Sequence, residues 1–216
     1  MKKIFLVLFL LIAIAVLFAF SPQASGLYES ICKQQLKTQF NIEADFENFQ
    51  VQALKKINCT KVDLSKKDNQ VQAEEVVIQI LSIKPLHDYY EIKVDSKELE
   101  IADLDGSILP LASVITKQTH SDILKSTKLE HVNFNLIKDK EKIKVYNIDA
   151  VGEKIKVYGS VDITENLGIC NLTIHIPAEK AEEMPEFSKA LSKLLFDMEQ
   201  EGDWVVFKLT NIPFKI

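Results

Sequence analysis

The sequence predicts a mainly β protein, namely a curled antiparallel β-sheet (a meander forming an open groove or half-barrel) with an N-terminal transmembrane helix and two amphipathic helices. Three observations predict it. The chain opens with an unbroken apolar run, apolar and polar residues then alternate through successive short segments, and only two later stretches show helical spacing. A length of 216 residues suits one sizeable domain, and 47% hydrophobic residues argue against global disorder.

The N-terminal segment is the strongest single signal. Lys2 and Lys3 precede an apolar run that covers residues 4–20. A positive flank before such a run directs insertion with the N-terminus in the cytoplasm. Because 17 residues reach the lower limit of a spanning helix, about 17–25, and exceed a signal core, about 7–15, we interpret residues 1–21 as an uncleaved anchor and keep a cleaved signal as the alternative. The membrane-anchor residues named here are Ile4, Phe9, Ile14 and Phe20.

A polar, turn-prone linker, residues 22–26, separates this anchor from one β-rich domain, residues 27–216, which we expect in the periplasm. The domain begins with an amphipathic helix over residues 27–40. Tyr28, Cys32, Leu36 and Phe40 recur at every fourth position, which is the spacing of one helical face.

From residue 47 the period changes to two, which is typical of strands with one apolar face. An irregularity is expected at Glu74 and Glu75, and a loop or short helix over residues 107–124. The predicted strands of this part are centred on residues 49–53, 62–64, 71–81, 92–94, 99–101 and 132–136.

The C-terminal third predicts a hairpin, a helix and a closing strand. Residues 141–146 recur letter for letter at 153–158 around Gly152, which indicates two paired strands with a bulge at Gly159. A strand over 169–176 precedes a helix over 178–200, ended by Gly202, and a strand over 204–210 precedes an apolar tail. The apolar face of that helix comprises Phe187, Ala190, Leu191, Leu194, Leu195 and Met198.

The residues that could carry chemistry follow no catalytic or metal-binding spacing, so we expect no enzyme, no cofactor and no metal. Cys32, Cys59 and Cys170 are far apart, so one disulfide of unspecified pairing, or three buried thiols, is expected. A net charge of −5 with interspersed signs disfavours nucleic acid as a partner. The carboxylates expected to be solvated rather than catalytic are Asp63, Asp95, Glu98, Glu100, Asp103 and Asp105.

Alternation over so many strands gives the sheet one apolar face that two helices cannot cover. Such a face either forms a trough suited to acyl chains, since hydrophobic burial is non-directional, or is the core of a closed sandwich or barrel. The lipid-groove candidates are Val76, Ile78, Ile80, Val132, Phe134, Leu136, Ile155, Val157, Val161 and Ile163.

The order of these features carries a family resemblance. An anchor and a helix precede the segments 42–49, 60–64 and 73–80, and the segments 158–163, 172–177 and 204–211 follow. This order resembles the AsmA-like envelope proteins and, among them, the type II secretion protein N family. The resemblance implies a single-pass inner-membrane protein whose bulk lies in the periplasm, with a role in lipid transport or envelope assembly. Protein secretion through contacts with secretion-system proteins is the alternative, and the partners implied are the bilayer, a phospholipid or acyl chain, and envelope proteins.

Overall fold

In the computed structural model, ten strands and two helices are described, over residues 25–52, 55–67, 69–102, 127–164, 167–182 and 197–215. The helices are α1 (Ser25–Phe40) and the short α2 (Ala178–Glu182), and a 3-10 turn covers Pro85–His87. The strands are β1 (Glu43–Gln52), β2 (Lys56–Lys66), β3 (Asn69–Lys84), β4 (Tyr89–Ala102), β5 (Thr127–Asp139), β6 (Lys142–Val151), β7 (Lys156–Thr164), β8 (Leu167–Pro177), β9 (Asp197–Glu201) and β10 (Trp204–Lys215).

All ten strands form one open antiparallel sheet, which confirms the mainly β antiparallel class. The strand order is β1-β2-β3-β4-β5-β6-β7-β8-β10-β9. The first eight strands therefore follow one another as a meander. The order reverses at the end because β10 pairs with β8 along its whole length, while the short β9 pairs only with the first part of β10.

The turns between strands lie alternately at the two ends of the sheet. We call the lower end the one with the β1–β2, β3–β4, β5–β6 and β7–β8 turns, and the upper end the one with the β2–β3, β6–β7 and β9–β10 turns. Because β10 runs antiparallel to β8, with Trp204 opposite Pro177 and Lys215 opposite Leu167, β10 begins at the upper end and finishes at the lower end.

One face of the sheet is apolar across its width, and the other is polar. A single row across the apolar face joins Ile80, Ile92, Leu136, Val145 and Val161, each the Cα partner of the next. Since side chains alternate between faces along a strand, the residues directly before and after each of these positions in its own strand point to the polar face. The pattern that predicted the strands therefore also builds the core.

Helix α1 covers the β1 side of this apolar face. Its buried side chains are Tyr28, Cys32 and Leu36, which confirms three members of the predicted stripe. They belong to the same core cluster as Phe46 and Phe49 of β1. An ion pair between Lys33 and Glu29, one turn apart, lies at the edge of this contact, with the two side chains 32% and 28% exposed, and the Lys33 ammonium lies 5.7 Å from the centre of the Phe46 ring.

Most strands carry a local bend. Asn48, Lys61 and Glu98 have φ values of 49°, 46° and 48° and lie in β1, β2 and β4. Asn147 and Asn211 have φ values of 53° and 55° and lie where the ladders of β6 and β10 shift register. Left-handed residues and bulges interrupt the pairing and bend the strand that contains them. The expected irregularity in β3 is present too, since both ladders skip Glu74.

Two predicted boundaries are wrong. The segments 92–94 and 99–101 were expected as separate strands, yet they form the single strand β4. Between them, Glu98 adopts a left-handed conformation instead of opening a turn, so Lys97 and Leu99 both stay in the ladders with β3 and β5. The predicted tail beyond residue 210 is likewise part of a strand, β10, which runs to Lys215.

The second amphipathic helix, expected over residues 178–200, is wrong at its C-terminal end. Helix α2 covers Ala178–Glu182, but Asp197–Glu201 is the strand β9. Gly202, expected to end the helix, has φ 60° in the turn that joins β9 to β10, and Met198 pairs with Phe207. Backbone pairing with β10 here overrides the local helical period. The other members of that predicted face lie outside the described residues.

The predicted anchor, residues 1–21, and the predicted loop or helix, residues 107–124, also lie outside the described residues. Within the part of the chain that the structure describes, no helix combines the length and apolar character needed to span a bilayer.

Candidate functional site

The ten predicted groove residues lie on, or directly beside, one apolar face. Val76 and Val132 flank Ser96 in one row, and Ile78 and Phe134 flank Val94 in the next. Nine of the ten belong to strands β3, β5 and β7. Ile155 differs because it lies in the β6–β7 turn, where its carbonyl oxygen accepts a hydrogen bond of 2.9 Å from the Gly152 N–H.

These residues are not equally shielded from solvent. Seven of them are at least nine-tenths buried, from Ile155 at 1% exposed to Ile80 and Ile163 at 7%. Val76, Val132 and Phe134 are only half-buried and pack against the core cluster. Together with the half-buried Leu99 they surround Ser96 in the middle of the apolar face, and we call these five residues the central patch.

Ser96 is the functional candidate that the sequence reasoning missed. Its side chain is 7% exposed, and its Oγ has no hydrogen-bond partner among the described residues. A buried hydroxyl without a partner costs about 1–3 kcal/mol. Its place in the alternation between Val94 and Leu99 was the available signal. The central patch therefore contains one buried hydroxyl that has no hydrogen-bond partner among the described residues.

The three cysteines are buried free thiols. Of the two alternatives expected from the sequence, one disulfide or three buried thiols, the structure has the second. Burial raises the pKa of the Cys59 thiol to about 12, and the nearby Glu29 carboxylate raises it as well. The pKa of Cys32 is also raised, by burial first and then by Cys59 and Glu29. Cys170 lies in β8 opposite Val161, and burial raises its pKa. These thiols serve as small core side chains beneath α1 and in β8.

Tyrosine, tryptophan and histidine side chains group together on the polar face. The ring of His175 lies 5.5 Å from that of Tyr158 and 6.5 Å from that of Trp204, measured between centroids. Burial lowers the pKa of His175, and the nearby Lys156 ammonium lowers it as well, against the Glu201 carboxylate, which raises it. The ammonium of Lys156 lies 4.3 Å from the centre of the Trp204 ring. His131 is exposed, and its Nε2 lies 3.5 Å from Asp149 Oδ2.

Three of the carboxylates named in the sequence analysis, Asp63, Asp95 and Glu98, take part in surface hydrogen bonds or ion pairs, and Glu100 is exposed. Asp63 accepts hydrogen bonds from Gln70 and Gln72, at 2.9–3.0 Å. Asp95 accepts one from Asn133, and Glu98 pairs with Lys128 at 2.6 Å. Asp103 and Asp105 lie outside the described residues. Among the described residues, no group of three or more His, Cys, Asp or Glu side chains is placed to hold a metal ion.

Fold and site together define a class: a mainly β protein with one ten-stranded open antiparallel sheet, a continuous apolar face and a helix across one side of it. Comparisons with protein-family models, curated proteins and solved structures found no match. Any assignment of function to this protein therefore rests on its sequence and structure.

Proposed function

We propose that the chain is an AsmA-like protein of the cell envelope, anchored in the inner membrane by residues 4–20, whose periplasmic sheet shields the acyl chains of lipids. The continuous apolar face carries this proposal. Neighbouring strands lie about 4.8 Å apart, so ten strands span on the order of 40 Å, whereas α1 is one helix about 10 Å in diameter and packs only over the β1 side. Most of this face is buried, and its half-buried middle, at Val76, Val132 and Phe134, is the part that suits a long apolar ligand.

The bends in the strands support a curled sheet. Bulges and left-handed residues occur in β1, β2, β4, β6 and β10, on both halves of the sheet. Such positions increase the local twist, and repeated across a sheet they introduce curvature. We propose that the sheet curls toward its apolar face, which gives that face the form of a trough.

The central patch is the proposed place of contact with lipid. Val76, Val132 and Phe134 are the least shielded of the ten groove candidates, and they adjoin the unpaired hydroxyl of Ser96. Each methylene removed from water contributes about 0.8 kcal/mol, so an acyl chain can be held there without a charged clamp. The mechanism is passive partition and needs no catalytic group.

Lipid extraction from the purified full-length protein tests this proposal. Phe134→Ser, on the apolar face, is compared with His131→Ser, on the polar face of the same strand, after both variants are shown to melt near the wild-type temperature. We expect phospholipid to copurify with the wild type and with His131→Ser, and most of it to be lost from Phe134→Ser. A wild-type protein free of lipid, or equal lipid in both variants, would contradict the proposal.

One observation favours the second function, an accessory component of a type II-like secretion system. Strand β9 pairs with residues 204–208 of β10 only, so on that side Leu209 and the residues up to Lys215 have no strand partner in the described chain. Open strand edges pair readily with another chain. Affinity purification that recovers secretion-system subunits, but no lipid, would favour this function over lipid handling.

A further inference from the structure

Among the described residues, the exposed large apolar side chains are concentrated toward one end of the sheet. Leu86 is 97% exposed at the tip of the β3–β4 turn, and Leu167, the first residue of β8, is 49% exposed. Both positions belong to the lower end. Leu81, at 49%, and Ile169, at 37%, lie within three residues of the lower ends of their strands, which is about 10 Å.

The described turns of the upper end have a different surface. Its described turns expose the polar or charged residues Lys67, Glu153, Lys154 and Asp203. In the described part of the chain, no large apolar side chain at the upper end is among the exposed ones. Single exposed leucines are common on soluble proteins, but their concentration at one end marks that end as an interaction surface.

Helix α1 runs antiparallel to β1, so its N-terminus points toward the lower end. Lys33 pairs with Asp45 at 2.7 Å, and Lys37 pairs with Glu43 at 3.1 Å. Lys33 and Lys37 are four helical residues, or about 6 Å, apart, and Asp45 and Glu43 are two strand residues, or about 6.6 Å, apart. The two distances agree, as expected for a helix that runs alongside the strand in the opposite direction. The remaining exposed apolar residue, Leu27 at 53%, lies in the first turn of this helix.

The length of chain between the predicted anchor and helix α1 limits which end of the sheet the anchor can approach. Ser25 lies about 18 Å below the level of Glu43, because twelve helical residues separate it from Lys37. The last strand residue at the lower end, Gln52, lies about 30 Å below Glu43, and so about 12 Å below Ser25. Five fully extended residues from Phe20 to Ser25 span at most about 17 Å. The end of the apolar run can therefore meet the lower end but falls short of the upper turns.

We propose that the lower end of the sheet lies against the phospholipid bilayer, with Leu86 and Leu167 inserted at the level of the headgroups. This inference rests on the proposed function, because it takes residues 4–20 as the membrane anchor. Interfacial protein elements bury their apolar side chains about 5–10 Å into the boundary between headgroups and acyl chains, which matches the depth over which Leu81 and Ile169 follow the tips.

Aromatic and basic side chains at the lower end fit the same partner. The Lys84 ammonium lies 5.2 Å from the centre of the Tyr89 ring, and that of Lys138 lies 5.8 Å from the Tyr90 ring. Half-buried tyrosines with lysines beside them are typical of the membrane–water boundary. Lys138 also forms an ion pair with Asp88, so Lys84 is the lysine of the two that we expect to meet phosphates. In this orientation an acyl chain leaving the bilayer would meet the lower mouth of the apolar face without crossing bulk water.

The test uses the full-length protein reconstituted in vesicles of phosphatidylethanolamine and phosphatidylglycerol. A polarity-sensitive dye is attached at Leu86→Cys, at Leu167→Cys, and at the control Lys154→Cys in the upper β6–β7 turn. The three native thiols are buried, so labelling is confined to the introduced cysteine. All three replaced side chains are exposed, so folding is unaffected.

We expect the dyes at positions 86 and 167 to shift their emission to the blue and to lose fluorescence when the lipids carry a nitroxide at headgroup level. The dye at position 154 should do neither. Equal exposure to water at all three positions in membrane-bound protein, or quenching at 154 instead, would overturn the inference and leave the anchor proposal intact. A chain that fails to sediment with the vesicles would overturn the anchor, and the inference with it.

Discussion

The backbone of Gly159 in β7 passes so close to Asn171 in β8 that a Cβ at residue 159 would lie 2.0 Å from the Asn171 carbonyl oxygen. Gly159 also has φ 135°, a conformation that side chains with a Cβ rarely adopt. Opposite it, β6 carries an extra residue between Val145 and Ile148. The contact and the bulge together fix the path of three neighbouring strands.

Gly159→Ala should therefore destabilise the protein by about 2–3 kcal/mol, since both a steric clash and an unfavourable φ oppose the new side chain. Gly26→Ala is the matched control. Nothing lies within 4 Å of a Cβ at residue 26, and its position in α1 favours alanine over glycine by about 0.5–1 kcal/mol. Chemical denaturation measures both changes. Equal effects of the two substitutions would show that β7 and β8 are not in this close contact.

Ser96→Ala should leave stability unchanged or raise it by up to about 1 kcal/mol in the absence of ligand, because the substitution removes a buried hydroxyl that has no partner among the described residues. Ser65→Ala, in β2, serves as the comparison, since Ser65 follows Leu64 and so faces the polar side. A loss of more than about 1 kcal/mol from Ser96→Ala would mean that the hydroxyl makes a hydrogen bond in the folded protein.

Helix α1 should be held mainly by its apolar face. Leu36 is 2% exposed, so Leu36→Ala should cost about 2–5 kcal/mol. Lys37→Ala removes an ion pair whose two side chains are 66% and 70% exposed, and we expect no measurable loss of stability. Thermal unfolding of both variants checks the difference. A larger loss from Lys37→Ala than from Leu36→Ala would contradict this account of the α1–β1 contact.

Stability should decrease as the pH rises above about 9. The Cys59 thiol titrates near 9.0 when exposed and near 12 when folded, so between these values the unfolded state releases a proton that the folded state retains. The folded state is thus favoured fully below pH 9 and progressively less toward pH 12. Cys59→Ala should flatten this part of the stability profile relative to the wild type. Identical slopes in the two proteins would show that the thiol is not buried as described.

Much of the fold follows from the local sequence pattern. The errors arise where backbone pairing between strands overrides that pattern. The alternation around Val132 and Phe134 locates β5 correctly because each of its side chains faces either the core or water. Residues 197–200 continue a helical period, yet they pair with β10 in a hairpin across the Gly202 turn, and this backbone pairing overrides the helical pattern. Likewise, no local pattern shows that Glu98 bends β4 without ending it.

The sequence predicted which residues lie on the apolar face, but it did not predict how strongly each of them is shielded from solvent. The face on which Val76, Val132 and Phe134 lie follows from period two alone. Their unequal shielding depends on which elements cover the sheet, and the isolation of the Ser96 hydroxyl depends on its neighbours in β3 and β5, Val76 and Val132. Sequence spacing carries no information about such contacts between strands.

Photo-crosslinking in intact cells tests the central claim, that the apolar face holds lipid, most directly. A photoreactive phenylalanine analogue is placed at Phe134, in the central patch, and at the exposed His131, on the opposite face of β5. The account predicts a phospholipid adduct from position 134, found by mass spectrometry, and none from position 131. No lipid adduct at position 134, or equal yields at both positions, would contradict it.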